Sequence, residues 1–342
     1  MSLVARAIRA VESAPMPDLV TRAGVSLLVG RTSRRLAREA EQDGAFARGM
    51  VRHPIAEHAD AANRQHYELP PAFFGLVLGP RRKYSCCLYR SDTDTLAEAE
   101  VFALEETVAH AGLADGQRIL ELGCGWGSLT LFMAERFPRA RIVAVSNSRP
   151  QRAHIEAEAA RRRLGNIEVI TADMNDFETA ARFDRVVSVE MFEHMANWRA
   201  LLARVRHWLA ADGRLFLHVF THDRQPYRFD HGRDDDWIAQ HFFTGGIMPS
   251  HGLIRQFPDL FTVEAQWRWN GSHYRRTADD WLDNFDANRA EIDRIFADVY
   301  GGDAALWARR WRLFFLATSG LFGHGGGEPW GVSHYRLAPA QG

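Results

Sequence analysis

Two carboxylates and an imidazole lie close together in one short segment and could do acid-base chemistry. Glu190, Glu193 and His194 all fall within the sequence EMFEH. Crowding two acids and a base is costly unless these groups bind a cation or share a proton. Such a set could attract an ammonium ion and accept its proton. The structural alternative is an acidic turn that begins a helix.

A glycine-rich turn forms the second candidate site. In ILELGCGWGS, a predicted strand ends at Glu121 and runs into a turn containing Gly123 and Gly125 before a predicted amphipathic helix. Glycines let a ligand approach the backbone, and amides at a helix N-terminus attract oxygen-rich groups. A dinucleotide and S-adenosyl-L-methionine are the two candidate ligands. The dinucleotide fingerprint would need glycine at Ser128 and an acidic residue about twenty positions on, and both are missing. The acid-x-Gly-x-Gly form instead resembles the first motif of Rossmann-like methyltransferases.

Two further candidates follow later strands. Asp173 and Met174 come directly after the strand predicted at 167–171, where an Asp can accept a hydrogen bond from an adenine amino group. An ordinary helix N-cap is the alternative interpretation of Asp173. Glu190 follows the next predicted strand, at the carboxyl end where open α/β sheets bind their ligands.

The elements that must position these residues alternate between strands and helices. Short apolar or β-branched runs predict strands at 118–121, 141–145, 167–171, 184–189, 214–220, 263–269 and 331–336. Amphipathic stretches predict helices at 96–111, 128–136, 149–164, 198–209, 277–300 and 303–322. Ser148 and Gln151 match a capping box for the third of these helices. The pattern predicts an α/β fold with a mostly parallel seven-stranded sheet, an antiparallel edge and helices on both faces.

Several segments carry a family resemblance. KYSCCLY, TLAEAE, ELGCGWGSLTL, AVSNSRPQ and VEMFEHM resemble, in this order, the family of cyclopropane fatty acid synthases and coclaurine-type N-methyltransferases. The likeness extends from HYELP at 66–70 to the tail LFGHGGGEPWGVSHY and is closer to the N-methyltransferase branch. It implies a class I, Rossmann-like methyltransferase that uses S-adenosyl-L-methionine and forms S-adenosyl-L-homocysteine. The implied reaction is methylation of nitrogen in a small aromatic or heterocyclic amine, such as a tetrahydroisoquinoline.

The resemblance also implies roles for individual residues. Tyr84 and Ser85 would bind the carboxylate end of the methyl donor, and Ser146 with Gln151 would reach its ribose, although Gln151 could instead cap its helix. The full implied cofactor set is Tyr84, Ser85, Glu121, Gly123, Gly125, Ser146, Asn147, Gln151, Asp173 and Met174. The implied substrate walls, each of which could equally be core, are Tyr67, Glu68, Phe322 and Trp330.

In the implied reaction, the acid-base cluster handles the ammonium group. Glu190 and Glu193 would attract and orient the ammonium, and Glu193 or His194 would accept its proton. An aliphatic ammonium has a pKa of about 10, like Lys, so its lone pair must be freed before it can attack a methyl group.

Cyclopropanation of an unsaturated phospholipid chain is the competing chemistry. In the synthase branch a bicarbonate base is held by a Cys, a Glu, a His and a Tyr. Cys86, Glu193 and His218 are candidates for the first three, although Cys86 could simply be a small buried residue. Leu282 stands where the tyrosine hydroxyl would be needed, which favours N-methylation and leaves open whether Cys86 and His218 serve bicarbonate. A non-catalytic module that only binds S-adenosyl-L-methionine is disfavoured by the intact EMFEH segment.

Composition limits the partners. The 342 residues include 42 basic and 43 acidic side chains, so the chain lacks the general basic field of nucleic-acid binders. The three cysteines form no CxxC pair, and no apolar run reaches the length of a membrane span. We therefore expect a cytoplasmic protein with no nucleic-acid partner and no stable membrane insertion. The aspartates at 234–236 match no recognised metal-ligand spacing, so we predict a solvated loop and no metal.

The predicted organisation has two parts. Residues 1–95 form a helical N-terminal cap that completes the pocket, and residues 96–342 form the methyltransferase domain with a helical lid insertion at about 221–330. Arginine exceeds acidic residues in the first 65 positions. This excess fits a solvated basic face better than attraction to an anionic membrane surface. The identity of the amine, the number of methyl transfers and the oligomeric state, including a homodimer, stay open.

Overall fold

Helices precede the sheet in the computed structural model, which describes residues 3–14, 16–57, 69–234 and 236–341. This leading helical part confirms the predicted N-terminal extension. Its helices are α1 (Leu3–Ser13), α2 (Asp18–Arg38), α3 (Asp43–Met50), α4 (Pro71–Val77) and α5 (Leu96–Ala111).

Strands and helices then alternate, as the sequence predicts. This part comprises β1 (Arg118–Leu122), α6 (Ser128–Arg136), β2 (Arg141–Ser146), α7 (Arg149–Arg162), β3 (Ile167–Thr171), β4 (Phe183–Val189), α8 (Trp198–Trp208) and β5 (Leu209–His222). The last part comprises β6 (Tyr227–Arg228), α9 (Trp237–His241), β7 (Ile247–Met248), β8 (Phe261–Asn270), α10 (Gly271–Ala287), α11 (Arg289–Tyr300), α12 (Ala304–Phe322) and β9 (Trp330–Pro339).

The main sheet has seven strands in the order β3-β2-β1-β4-β5-β9-β8. Strands β1 to β5 pair in parallel, whereas β9 runs antiparallel to both β5 and β8. The predicted mostly parallel sheet with an antiparallel edge is therefore confirmed. The strand order reverses between β1 and β4, which is the place where open α/β sheets form a ligand crevice.

Helices cover both faces of the sheet because its central strands are apolar on both sides. Ile119 and Phe216 point to the face covered by α5 and α6, where they join one buried cluster. Leu120 and Leu217 point to the opposite face and pack in a cluster with Trp208 of α8. Because these strands are buried on both faces, their sequences are almost continuously apolar. This is why the strands can be recognised in the sequence.

Two local predictions need correction. The helix predicted at 277–300 is interrupted at Asn288, whose side chain donates a hydrogen bond to the Leu76 carbonyl at 3.0 Å and separates α10 from α11. The predicted capping box forms only in part. The Ser148 hydroxyl accepts from the Gln151 N–H at 3.4 Å, but the Gln151 side chain bonds to Ser146 instead.

The late helices pack against the N-terminal helices. Arg312 of α12 forms an ion pair with Asp18 of α2 at 2.5 Å, and Arg22 of α2 pairs with Asp279 of α10 at 3.0 Å. Helix α4 adds Phe73, whose ring lies 4.9 Å from that of Trp311. Elements from both ends of the sequence thus form one helical layer beside the sheet.

Candidate active site

An open cleft lies at the carboxyl ends of the parallel strands. Its walls come from the turns after β1 to β4, with Glu57 and Thr244 at the side. Many predicted site residues meet there: Gly123, Gly125, Ser146, Asn147, Gln151, Asp173, Met174, Glu190 and His194.

The glycine turn brings backbone to the edge of this cleft. Gly123 has a φ of 78°, and a Cβ at this position would lie 2.6 Å from the Met191 Cβ, so only glycine fits. Gly125 has a φ of 52° and open space where its side chain would be. A ligand can therefore lie directly against this turn.

Gln151 offers a hydrogen-bond donor to the cleft. Its side-chain oxygen accepts from the Ser146 hydroxyl at 2.7 Å. Its amide nitrogen is buried and has no partner among the described residues. A buried donor of this kind needs an acceptor. A ligand hydroxyl, such as that of a ribose, would satisfy it, so the residues present fit a nucleoside.

Glu121 lies behind the turn instead of in the cleft. Its carboxyl accepts a hydrogen bond from the Thr130 hydroxyl at 2.5 Å, and burial raises its pKa to about 8. The side chain therefore links β1 to α6. It therefore supports the glycine turn from the side away from the cleft. The resemblance implied that Glu121 binds the cofactor, but the residue does not line the cleft.

Glu190 is held in an unusual conformation by two hydrogen-bond donors and the imidazole of His218. Its φ of 47° places a non-glycine residue in the left-handed region immediately after β4. The Cys86 N–H donates to its Oε1 at 2.9 Å, and the Tyr274 hydroxyl donates to its Oε2 at 2.7 Å. His218 Nε2 lies 3.2 Å from Oε1. The carboxyl group thus sits in a cradle formed by Cys86, Tyr274 and His218, which we call the carboxylate cradle.

Burial raises the pKa of Glu190, whereas the nearby Lys83 ammonium acts in the opposite direction. Lys83 is itself buried and donates hydrogen bonds to the Ser85 hydroxyl at 2.6 Å and the Cys86 carbonyl at 2.5 Å. No pattern in the sequence indicates this buried cation. The Tyr84 ring packs between Phe74 and Trp281, so Tyr84 and Ser85 lie beside the carboxylate cradle but do not line the cleft.

Glu193 and His194 point in different directions. Glu193 is fully buried, and its Oε1 accepts from the Phe220 N–H at 2.6 Å. Burial and the charge of Glu190 raise its pKa well above the ordinary value. His194 lines the cleft and stacks on Phe243 at 5.1 Å. His194 and Glu190, more than Glu193, can therefore face a ligand in the cleft.

A tyrosine hydroxyl is present in the site, contrary to the expectation drawn from Leu282. Tyr274 supplies it, and Leu282 lies eight residues further along the same buried face of α10. Helical periodicity places positions eight apart on one face about two turns from each other. Leu282 is therefore a core position two turns away from the site, and Tyr274 is the residue that provides the hydroxyl.

The predicted substrate walls are only partly brought together. Phe322 stacks on Tyr274 with ring centroids 4.4 Å apart, next to the carboxylate cradle. Trp330 is fully buried, donates its indole N–H to the Tyr227 hydroxyl at 3.2 Å and does not line the cleft. Tyr67 and Glu68 lie outside the described residues.

The described residues contain neither a metal-binding cluster nor a membrane-spanning helix. Within residues 3–14, 16–57, 69–234 and 236–341, no group of His, Cys, Asp and Glu side chains could hold a metal ion. No helix in the described part of the chain is long and apolar enough to cross a membrane. Asp236, from the acidic run, caps α9 by accepting from the Ala239 N–H at 3.2 Å.

Known proteins match this chain over most of its length. A sequence profile of the mycolic acid cyclopropane synthetase family matches residues 56–326. The chain is 36% identical over 285 residues to (S)-coclaurine N-methyltransferase of Thalictrum flavum subsp. glaucum, covering 82% of this chain and 79% of the relative. It is 30% identical over 239 residues to cyclopropane mycolic acid synthase 1 of Mycobacterium tuberculosis, covering 66% and 82%.

A solved structure is similar over nearly the whole chain. Coclaurine N-methyltransferase bound to N-methylheliamine and SAH superposes with a TM-score of 0.92 at 32% identity. The match covers 98% of this chain and 99% of the solved one. The similarity therefore includes the N-terminal helices and the late helices as well as the sheet.

Proposed function

The chain belongs to the mycolic acid cyclopropane synthetase family, and from this premise we propose that it transfers methyl groups from S-adenosyl-L-methionine to the nitrogen of small, tetrahydroisoquinoline-like amines. It is a methyltransferase, and S-adenosyl-L-methionine is its methyl donor. Three kinds of alkaloid N-methyltransferase are among its relatives, named for coclaurine, pavine and tetrahydroprotoberberine.

The carboxylate cradle is the observation that supports an amine nitrogen, and not a lipid alkene, as the methyl acceptor. By the family resemblance, a synthase holds its bicarbonate base with a Cys, a Glu, a His and a Tyr. Here Cys86, His218 and Tyr274 are all present, but each of them already binds the carboxyl group of Glu190. The protein's own carboxyl group therefore fills the place that an external base would need.

This built-in carboxylate suits an ammonium substrate. S-adenosyl-L-methionine supplies an electrophilic methyl group that an amine lone pair can attack. Glu190 attracts the ammonium form and orients it in the cleft. His194, which lines the cleft beside it, accepts the proton and so frees the lone pair. The rings of Phe322 and Tyr274 stack on each other beside Glu190, and aromatic faces attract cations.

The proposal also assigns the donor site. The Gln151 amide and the Ser146 hydroxyl bind the ribose, supported by the unpaired buried nitrogen of Gln151. Asp173 and Met174 bind the adenine, and the backbone at Gly123 lies against the amino acid part. Tyr84, Ser85 and Asn147 complete the site, and Glu121 supports the turn from behind.

Domain roles and location form part of the same proposal. Residues 1–95 act as a cap and 221–330 as a lid, supported by the ion pairs that join α2 to α10 and α12. Tyr67 and Glu68 belong to the proposed substrate wall. The cytoplasm is the proposed location, supported by three free, buried cysteines.

A product assay with labelled S-adenosyl-L-methionine tests this function. One panel contains primary to tertiary arylalkyl amines, and the other contains vesicles of unsaturated phospholipid. Quaternary amines and vesicles of saturated phospholipid are the matched controls, because neither has a lone pair or an alkene to accept methyl. We expect label on the amines, at a rate that rises as the pH approaches the amine's pKa. Label in the unsaturated lipid, lost when bicarbonate is removed, would overturn the proposal.

A further inference from the structure

A line of three histidines runs from Glu190 towards the protein surface. His218 Nε2 lies 3.2 Å from Glu190 Oε1, and His218 Nδ1 lies 2.8 Å from His334 Nε2. His334 Nδ1 lies 2.8 Å from His110 Nδ1, and His110 Nε2 lies 3.2 Å from Glu106 Oε1. Each gap is a hydrogen-bond distance. We call His218, His334 and His110 the histidine line.

The sheet and one helix place these rings next to each other. His218 and His334 are register partners on the antiparallel strands β5 and β9, so their side chains project from the same face. His110 belongs to the last turn of α5, which covers this face. Its ring stacks on that of Trp267 at 3.7 Å and 9°, which fixes the orientation of the imidazole. Glu106 lies one turn earlier on the same helix.

Exposure differs sharply between the two ends of the line. His218 and His334 are 0% exposed, and burial lowers the pKa of both well below the ordinary value. Both rings therefore stay neutral at neutral pH. The Glu106 side chain is 35% exposed, so it is in contact with solvent. The line thus connects a buried carboxyl group to one in contact with solvent.

One proton can occupy either end of this line. In an inner arrangement, Glu190 is a carboxylic acid that donates to His218 Nε2, and His218 Nδ1–H donates to His334 Nε2. His334 Nδ1–H then donates to His110 Nδ1, and His110 Nε2–H donates to Glu106. Every group has a partner in this arrangement, and all three imidazoles are neutral.

An outer arrangement results when three protons each cross one hydrogen bond. Glu190 is then a carboxylate that accepts from His218 Nε2–H, and His218 Nδ1 accepts from His334 Nε2–H. His110 has become an imidazolium that donates Nδ1–H to His334 and Nε2–H to Glu106. The number of protons is the same in both arrangements. Glu190 has gained one negative charge and His110 one positive charge.

The surroundings of Glu190, at the inner end of the histidine line, have opposing effects on its protonation. Lys83 and His194 favour the carboxylate form of Glu190, and burial favours the acid form. Glu193 lies close enough for the charge of Glu190 to raise the pKa of Glu193, so the two do not ionise together easily. A cationic amine in the cleft adds a further charge that favours the carboxylate form.

The charged groups around the outer end are Glu106 and Arg336. The carboxylate of Glu106 favours the imidazolium form of His110, whereas burial and the Arg336 guanidinium lower the pKa of His110. The outer arrangement therefore depends on the negative charge of Glu106. The substitution Glu106→Gln removes this charge and keeps the shape of the side chain, so it measures how much the charge stabilises the imidazolium form of His110.

We propose that the histidine line moves the proton of Glu190 to His110 when a cationic amine enters the cleft. Glu190 then becomes a carboxylate without releasing its proton into the cleft. The inference rests on the proposed function, because it assumes an ammonium substrate. His218, His334 and His110 are positioning residues, since they act on the amine only through Glu190.

Nitrogen NMR of the full-length protein with 15N-labelled histidine tests the proton positions directly. With saturating tetrahydroisoquinoline, we expect the ring protons of His218 and His334 to lie on Nε2 in the wild type. In Glu106→Gln, which cannot stabilise an imidazolium, we expect them to stay on Nδ1. Glu105→Gln is the matched control, because Glu105 neighbours Glu106 on α5 but pairs with Arg90 outside the line.

Kinetics supply a second readout that a merely structural role would not change. We expect the acidic limb of the kcat/KM profile to move up by about one pH unit in Glu106→Gln, which lowers the rate about tenfold on that limb. The Glu105→Gln profile and both melting temperatures should match the wild type.

Different measurements would contradict the proposed function and the proposed proton transfer along the histidine line. A wild type that methylates no amine contradicts the proposed function, whatever the histidine spectra show. Normal amine methylation combined with histidine protons that respond neither to the amine nor to Glu106→Gln would overturn the histidine line alone. An unchanged pH profile in Glu106→Gln would overturn it as well.

Discussion

Replacing Glu190 by glycine should convert the carboxylate cradle into a binding site for a small external carboxylate. Glu190 has a φ of 47°, a conformation that glycine adopts without strain. The variant would leave the Cys86 N–H, the Tyr274 hydroxyl and the His218 imidazole around a space of carboxylate size. Formate presents the same two oxygens and is small enough to enter such a space.

The magnitude follows from these contacts. A buried donor that loses its partner costs about 1–3 kcal/mol, so losing the carboxyl group destabilises the folded chain by several kcal/mol at most. Relief of the left-handed backbone offsets about 1–2 kcal/mol of this loss. The variant should therefore fold. Loss of a carboxyl group that acts in proton transfer or orientation should lower kcat by about 100-fold to 10,000-fold.

The assay measures kcat for a tetrahydroisoquinoline with increasing formate. We expect the rate of Glu190→Gly to rise with formate and then saturate, and bicarbonate should act in the same way. Glu190→Gln is the matched control, because its amide fills the space and leaves no room for formate. Equal losses in both variants, with no effect of formate on either, would refute the assignment of the carboxylate cradle.

Three further substitutions separate the roles of the other site residues. His194→Ala should lower turnover about 100-fold or more, while calorimetry should find the affinity for S-adenosyl-L-methionine unchanged; normal turnover would exclude His194 as the base. Gln151→Ala should raise the Kd for S-adenosyl-L-methionine by about twofold to tenfold, the value of one hydrogen bond, and an unchanged Kd would remove Gln151 from the ribose site. Glu121 has a folded-state pKa of about 8 against an ordinary value of 4.5, so the folded chain keeps a proton that the unfolded chain has lost. The free energy of unfolding should therefore fall as pH rises between these two values, and less so in Glu121→Gln; parallel pH profiles of thermal unfolding would contradict this.

The sheet could be predicted because its strands are buried on both faces. Each central strand is a short apolar run bounded by polar turns, and the helices between them start and stop at recognisable residues. The predicted parallel strands also place Gly123 and Glu190 at the same edge of the sheet, because each residue follows the carboxyl end of its strand. In the structure, the glycine turn and the EMFEH segment line the same cleft.

The directions of the side chains could not be predicted in the same way. Glu193 and His194 are adjacent, but the short helical turn at Phe192–His194 sends the first inward and the second into the cleft. Glu190 reaches the carboxylate cradle only because its backbone adopts a left-handed conformation. Local spacing carries no signal for either feature.

Contacts between distant parts of the chain were also hidden in the sequence. Tyr274 reaches Glu190 across 84 positions, and His334 reaches His218 across 116. Such contacts depend on how α10 and β9 pack on the sheet. One signal was available: the buried face of α10 repeats at helical spacing and includes Tyr274 as well as Leu282, so following that face would have offered the tyrosine as a candidate.

The central claim is that the carboxyl group of Glu190 fills the place of an external bicarbonate in a nitrogen methyltransferase. The most direct test measures transfer of labelled methyl to a tetrahydroisoquinoline in buffer depleted of carbon dioxide, and again after bicarbonate is added. We predict the same rate in both buffers, with the label on nitrogen. A rate that is lost without bicarbonate and restored by it would contradict the account, because it would show that bicarbonate, and not the carboxyl group of Glu190, acts in this site.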